Sequence, residues 1–238
     1  MRVDAIAHPS PNFGARPAGA EIDILLLHYT GMANTKDALA RLCDRAAGVS
    51  AHYLVDEAGQ VYSLVAEEAR AWHAGEAAWA GQSDINSRAV GIELANPGHD
   101  LGYRDFPGAQ IDSLVTLAQG IVARHPIPAA RVLGHSDVAP DRKLDPGERF
   151  PWDRLAAAGI GLCPPPDLSP QDPVPSMTAF AIELARFGYP MGDGADPART
   201  FGPITAFRRH FRPDRLTGPL DGIDGARLAW LLGASGGG

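Results

Sequence analysis

The run Ile24-Leu25-Leu26-Leu27 stops abruptly at His28. Four aliphatic residues in succession, short and β-compatible, read as a buried strand, and Tyr29-Thr30-Gly31 reads as the turn that follows it. Packing does not call for a histidine there, so the strand end offers His28 to a cleft, as strand ends in α/β sheets do.

Strand and helix signals alternate over the next hundred residues. Asn34 or Thr35 can cap a helix whose apolar face is Ala38, Leu39, Leu42 and Ala46, with Gly48 as its stop. Tyr53-Leu54-Val55 and Val61-Tyr62-Ser63-Leu64-Val65 flank the turn signal Asp56-Glu57-Ala58-Gly59 and predict a β-hairpin. Ala89-Val90-Gly91-Ile92-Glu93-Leu94 is a further strand, in which Glu93 interrupts an apolar pattern. Ile111, Leu114, Val115, Ala118, Ile121 and Val122 recur at helical spacing, giving an amphipathic helix over 110–124 that Pro126 ends. Arg131-Val132-Leu133-Gly134 then predicts a strand that delivers His135 to its end.

Between Gly134 and Gly147 the chain gathers His135, Lys143 and Asp145 into one polar loop. His28, His135 and Asp145 together make two imidazoles and a carboxylate, which leaves a tetrahedral zinc one position for water. Asp145-Pro146-Gly147 is also a turn signal, and a rigid turn suits a ligating carboxylate. A hydrolytic metal site further needs a group that accepts the water proton and a cation where negative charge builds on the carbonyl oxygen. Glu93 is the candidate base and Lys143, two residues before Asp145, the candidate cation. The structural alternative for Glu93 is an ion pair with Arg88 or Arg70, and for Lys143 a solvated surface position.

Competing motifs fall away. His135-Ser136-Asp137 lacks the second glycine of a nucleophile elbow, and three adjacent residues cannot bring their side-chain tips together. There is no H-E-x-x-H, C-x-x-C or phosphate-binding glycine loop. His8, His99, His125 and His210 fall in turns or at helix ends without a partner pattern and read as solvated.

A formal charge of −7, with no basic block, argues against nucleic acid and against an anionic membrane surface as partners. No run is long enough to cross a bilayer, so membrane insertion is not expected. The N-terminus shows no apolar leader run, which predicts a cytoplasmic protein, or a periplasmic or envelope one if a leader was removed. Cys43 and Cys163 are the only cysteines and read as two idle thiols rather than a disulfide framework.

From Cys163 to Ser176 the chain turns proline-rich, which disfavours helix and sheet and marks a connection between domains. Beyond it, Phe180, Leu184 and Phe187, then Ile204, Phe207 and Phe211, then Ala226, Ala229 and Leu232 predict three short helices. The expected organisation is a catalytic domain over 1–162, a linker over 163–176, a three-helix domain over 177–233 and a disordered tail over 234–238. The expected fold class is α/β, a mixed central β-sheet flanked by helices and followed by the small helical domain.

The segments Leu27-His28-Tyr29-Thr30, Val49-Ser50-Ala51-His52-Tyr53, Ala71-Trp72-His73-Ala74-Gly75, Asp84-Ile85-Asn86, Gly91 to Gly98 and the Gly134–Gly147 loop together resemble the zinc-dependent N-acetylmuramoyl-L-alanine amidase family. The likeness spans residues 8 to about 162. It implies that zinc (Zn2+) falls on His28, His135 and Asp145, and that Glu93 and Lys143 are catalytic. It also puts His52, Trp72, His73 and Asn86 near the substrate cleft. The implied reaction is hydrolysis of the amide joining N-acetylmuramic acid, or its anhydro form, to L-alanine of a peptidoglycan stem peptide, in muropeptide recycling. Peptidoglycan fragments or peptidoglycan are then the partners. Tyr29 and Asp84 look more like the secreted, broader-specificity members, which makes wall remodelling in the envelope the alternative, and a non-catalytic muropeptide-binding module is a second rival.

Phe187-Gly188-Tyr189, Gly192-Asp193-Gly194, Gly202-Pro203-Ile204-Thr205-Ala206-Phe207 and Leu220-Asp221-Gly222 resemble, more loosely, a three-helix peptidoglycan-binding domain. The bland counterpart is a helical module that packs on the catalytic domain.

Overall fold

Consecutive residues of the Ile24–Tyr29 strand go to different cores. Leu25 and Leu27 join one cluster of buried side chains, while Ile24 and Leu26 join another. This period of two is what a strand buried on both faces must show.

The computed structural model describes residues 4–191 and 197–236, apart from the side chains of 197–201. In chain order the elements are β1 (Ala5–Ala7), β2 (Phe13–Ala15), β3 (Ile24–Tyr29), α1 (Thr35–Cys43), β4 (Tyr53–Val55), β5 (Val61–Ser63), β6 (Ala69–Ala71) and β7 (Ala89–Leu94). There follow α2 (Gly98–Leu101), α3 (Gly108–Arg124), β8 (Val132–Gly134), α4 (His135–Val138), α5 (Trp152–Ala157), α6 (Met177–Phe187), α7 (Pro197–Phe211) and α8 (Gly222–Ala234).

Six strands form one sheet in the order β1-β5-β4-β7-β3-β8, with β2 and β6 paired separately. The predicted hairpin β4–β5 is antiparallel, whereas β7 and β8 flank β3 in parallel, so the sheet is mixed. On one face, Leu25, Leu27, Val90, Ile92 and Leu94 pack against Ile111, Leu114, Ala118 and Ile121 of α3 and against Trp152 and Leu155 of α5. On the other, Ile24, Leu26, Ala89 and Leu133 share a core with Phe180 and Leu184 of α6, Phe207 and Phe211 of α7 and Leu228 and Leu231 of α8. The C-terminal helices therefore bury their apolar faces on the sheet as well as on each other, which suits a group of helices too small to fill a core alone.

Three expectations need adjusting. Helix α1 is capped by Asn34, whose Oδ1 accepts the Asp37 N–H at 2.9 Å, but it ends at Asp44 rather than Gly48. Asp44 accepts the Ala46 N–H at 2.9 Å, a turn that draws the chain out of the helix early. The stretch after Gly134 is not an open polar loop: it begins with a turn of helix, and Ser136 and Asp137 are buried. Ala234 still belongs to α8 and Ser235 and Gly236 continue as a turn, so order extends into the predicted tail. Gly192-Asp193-Gly194, Gly237 and Gly238 lie outside the described residues. Residues 163–176 carry no helix or strand, and both cysteines are free.

Candidate active site

His28 and Glu93 are register partners on the parallel strands β3 and β7. Neighbouring strands lie about 4.8 Å apart and partners point to one face, so the pairing puts an imidazole and a carboxyl side by side. They share the face of Ile24, Leu26 and Ala89, which the C-terminal helices cover further down the strands. Strand β8 borders β3 on the other side and hands over to His135, the first residue of α4. Asp145 returns at the end of the same loop, where Ser136 N–H donates to its carbonyl at 2.9 Å.

Three donor atoms converge there. His28 Nδ1 lies 2.9 Å from His135 Nδ1, and Asp145 Oδ2 lies 3.0 Å from each of them. All three residues are buried. The outer nitrogen of His135, Nε2–H, donates to the Ala74 carbonyl at 2.9 Å, which leaves Nδ1 with its lone pair aimed into the cluster. His28 Nε2 is 3.1 Å from His73 Nδ1 and is held in the same way. A tetrahedral ion with bonds of about 2.0–2.2 Å sets its ligands about 3.3–3.6 Å apart, so the three atoms need open by only about half an ångström. The donor set and its outer partners fit a metal ion.

Burial and the neighbouring His135 push the His28 imidazole down to about 4, keeping it neutral and able to bind. Burial alone would raise the Asp145 carboxyl, but His135 and His28 outweigh it and hold that group well below the usual carboxylate range. For Glu93, burial and then the Asp145 charge push the carboxyl well above its ordinary value, and Lys143 opposes them. Glu93 Oε2 is buried without a hydrogen-bond partner among the described residues. The arginine alternative for Glu93 does not hold, since Arg88 donates to Asp23 and Arg70 to Asp84 and Ser87.

A cavity of about 250 Å³ opens over the cluster. Glu93 and Lys143 line it beside the three donors, and Tyr29, Met32, Arg41, Leu42 and Trp72 form its walls. His73 borders it from below, in the space that Gly91 leaves: a Cβ on residue 91 would fall 2.6 Å from the His73 ring.

His52 and Asn86, expected near the cleft, lie just behind it, next to His73 but not lining the cavity. Asn86 Oδ1 accepts the N–H groups of His73 and Ala74 at 2.9 and 2.8 Å, fixing the segment that in turn holds His28 and His135. His52 Nδ1 accepts the Gly91 N–H at 2.9 Å, and its Nε2–H faces the Ala69 carbonyl at 3.2 Å. Both side chains build the floor.

Sequence reasoning passed over Asp137 and misread His210. His210 is buried, not solvated, because its Nδ1–H donates to Asp137 Oδ2 at 2.7 Å. His99 and His125 are half-buried and also partnered, with Tyr29 and Glu148 and with Glu67 respectively. The signal for Asp137 was its place three residues after Gly134, the spacing of a side chain that caps a helix start.

Fold and site together define a class: a mixed α/β enzyme with a metal-compatible His-His-Asp cluster at its strand ends. The family model described as N-acetylmuramoyl-L-alanine amidase matches residues 18–148. The chain belongs to this family. It is 37% identical over 227 residues to the N-acetylmuramoyl-L-alanine amidase AmiD of Escherichia coli, covering 87% of this chain and 81% of that protein. The structure of E. coli AmiD in complex with anhydro-N-acetylmuramic acid-L-Ala-D-gamma-Glu-L-Lys superposes with a TM-score of 0.81 at 36% identity, over 93% of both chains. AmpDh3 of Pseudomonas aeruginosa, solved in complex with anhydromuramic pentapeptide, gives 0.79 at 31% identity over 91% of this chain and 93% of its own. The 1,6-anhydro-N-acetylmuramyl-L-alanine amidase AmpD of Enterobacter cloacae is 34% identical over 173 residues, 65% of this chain and 90% of that protein.

Proposed function

We propose that the chain hydrolyses the amide between the lactyl group of N-acetylmuramic acid, in its 1,6-anhydro form, and L-alanine of the stem peptide, as a step in muropeptide recycling. The observation that carries this reading is the meeting of His28, His135 and Asp145 beneath a cavity that Glu93 and Lys143 also line. The anhydromuramyl peptides bound in the AmiD and AmpDh3 complexes supply the substrate class. No helix among the described residues is long and apolar enough to cross a membrane.

In this reading His28 Nδ1, His135 Nδ1 and Asp145 Oδ2 hold a zinc ion. Zinc bound there would polarise the scissile carbonyl and lower the pKa of water. Glu93 does the proton work: Oε2 accepts a proton from the attacking water and returns it to the amide nitrogen as the C–N bond breaks. Water thus adds across the amide, leaving a lactyl carboxylate and the free amine of L-alanine. Burial gives the Glu93 carboxylate the basicity this needs. Lys143 faces the negative charge that develops on the carbonyl oxygen, and its ammonium needs no reorganisation to do so. Trp72 offers an apolar wall to the sugar. His73 orients His28, while Asn86 and His52 act on the substrate only through the floor they build. Residues 1–162 form the hydrolytic unit in this reading, joined through 163–176 to the helical unit 177–233.

The experiment is mass-spectrometric product analysis after incubating zinc-loaded protein with an anhydromuropeptide and, separately, with intact sacculi. Release of a peptide with a free L-alanine amine from the soluble anhydro substrate is the expected outcome. Release from sacculi alone would move the reaction to wall remodelling, and no release from either would leave a binding module.

A further inference from the structure

Asp137 is fully buried, and its carboxylate collects three donors. Gly134 N–H reaches Oδ2 at 2.7 Å, Tyr189 O–H reaches Oδ1 at 2.6 Å, and His210 Nδ1–H reaches Oδ2 at 2.7 Å. The first donor is the amide of Gly134, the residue just before His135. The other two come from beyond the proline-rich connection, Tyr189 just after α6 and His210 in the last turn of α7. The carboxylate that closes the first turn of α4 is thus held from the C-terminal helices.

Helix α7 meets the same segment at further points. The His210 ring stacks on Trp152 of α5, centroids 3.6 Å apart at 20°. Arg209, itself buried, places Nε 3.6 Å from the carboxylate of Glu148, three residues after Asp145. Gly202 lies so close to Asp141 that a Cβ there would fall 2.1 Å from Oδ1. These contacts flank both His135 and Asp145. A helix of four residues has no stability of its own, so the position of α4 is set by what grips it.

We propose that α7 and Tyr189 are a brace for the metal loop, in which Tyr189 and His210 are positioning residues that fix His135 through Asp137. The inference rests on the metal reading above. The C-terminal helices then serve the hydrolytic site directly, whatever else they bind. Partners behind a ligating histidine set its orientation, and their loss costs metal affinity even when the ligand itself remains.

The test titrates full-length wild-type protein and the variants Tyr189→Phe, His210→Phe and the pair together with zinc against a chromophoric chelator, and records the visible spectrum of each cobalt-substituted form. Tyr189→Phe is expected to weaken zinc binding roughly tenfold and the pair up to about a hundredfold, with the cobalt bands shifted. Leu228→Ala, a cavity in the α8 part of the core, is expected to lower Tm while keeping affinity and spectrum. Folded Tyr189→Phe protein with wild-type affinity and spectrum overturns the brace, and so does Leu228→Ala reproducing the losses at a temperature below its melt. Should the double variant not fold, Tyr189→Phe decides, since it lacks a single oxygen atom. Wild-type protein that binds no zinc overturns the metal reading itself, an outcome distinct from wild-type binding that the variants share.

Discussion

His28 and Glu93 occupy paired positions on adjacent parallel strands, and on that pairing the proposed division of labour between metal ligand and base depends. One side chain turns a nitrogen toward His135 and Asp145, the other keeps a buried oxygen free of partners beside them. Because strand register fixes both, ligand and base should be separable by substitution. Glu93→Gln keeps the shape and removes the proposed proton acceptor. Zinc content is expected to stay at the wild-type level while kcat falls about 10²–10⁴-fold, the usual worth of a positioned acid–base group. Metal analysis together with single-turnover rates checks it, and undiminished turnover would remove Glu93 from the mechanism.

Lys143 tests the oxyanion argument. Its main-chain N–H donates to the Ala139 carbonyl at 2.9 Å, so the loop conformation does not depend on its side chain. Lys143→Met should keep the fold and zinc and lower kcat by roughly 10²–10³-fold with KM little changed, as for loss of one group that acts on transition-state charge. A rise in KM alone would make Lys143 a substrate-binding cation.

Arg41 is exposed at the rim of the cavity, and its guanidinium has no ion pair or hydrogen bond among the described residues. A γ-linked glutamate, as in the peptide bound to AmiD, carries a free α-carboxylate. Arg41→Ala is expected to raise KM for such peptides about two- to fivefold, the range of an exposed ion pair, and to weaken the salt dependence of kcat/KM. Equal KM values for wild type and variant across salt concentrations would exclude the contact.

Much of this site was legible in the sequence, for local reasons. Apolar runs ending on His28 and Gly134 announced strands, and a carboxylate inside an apolar strand announced Glu93, because buried charge without a use is expensive. Contacts made at long range were not legible. Asp137 and His210 are 73 residues apart, and nothing near His210 in sequence distinguishes it from a solvated helix-end histidine. The resemblance put His52 and Asn86 near the cleft without a role for either, because the backbone N–H groups that occupy their ring nitrogen and amide oxygen lie at long range. Strands β1 and β2 are three residues each, too short for any period to show. The helical faces of α6 and α7 were readable, but the face of α8 was placed on Ala226, Ala229 and Leu232, whereas Leu228 and Leu231 are buried and Ala229 is exposed, because the packing against Ile24 and Leu26 that selects the face is made at long range.

Gly91 gives a steric prediction that joins strand to metal. A methyl group on residue 91 would sit 2.6 Å from the His73 ring, which is buried against His52 and His28 and can yield only by shifting away from them. Gly91→Ala is expected to destabilise the fold by about 1–3 kcal/mol through overpacking. By moving His73 off His28 it should also weaken zinc binding. Thermal melts and chelator competition check the two effects, and a variant with wild-type zinc affinity would show that His28 holds its orientation without His73.

Glu67 carries a prediction for acid. Its carboxylate accepts from Tyr53 O–H at 2.7 Å, from Arg124 at 2.6 and 3.2 Å, and from His125 Nε2 at 2.7 Å. Burial would raise this carboxyl, but the hydrogen bonds from Arg124, Tyr53 and His125 prevail and lower it from 4.5 to about 2. A carboxyl with a depressed folded-state pKa binds its proton more readily in the unfolded chain. Its contribution is therefore complete above pH 4.5 and is lost as pH falls through about 2. Glu67→Gln has no such carboxyl to titrate. The gap between wild-type and variant urea midpoints should be constant above pH 4.5 and narrow steadily below it, while protonation of the other groups affects both proteins alike. Parallel curves down to pH 2 would mean that the carboxylate does not gain from its three partners in the folded state.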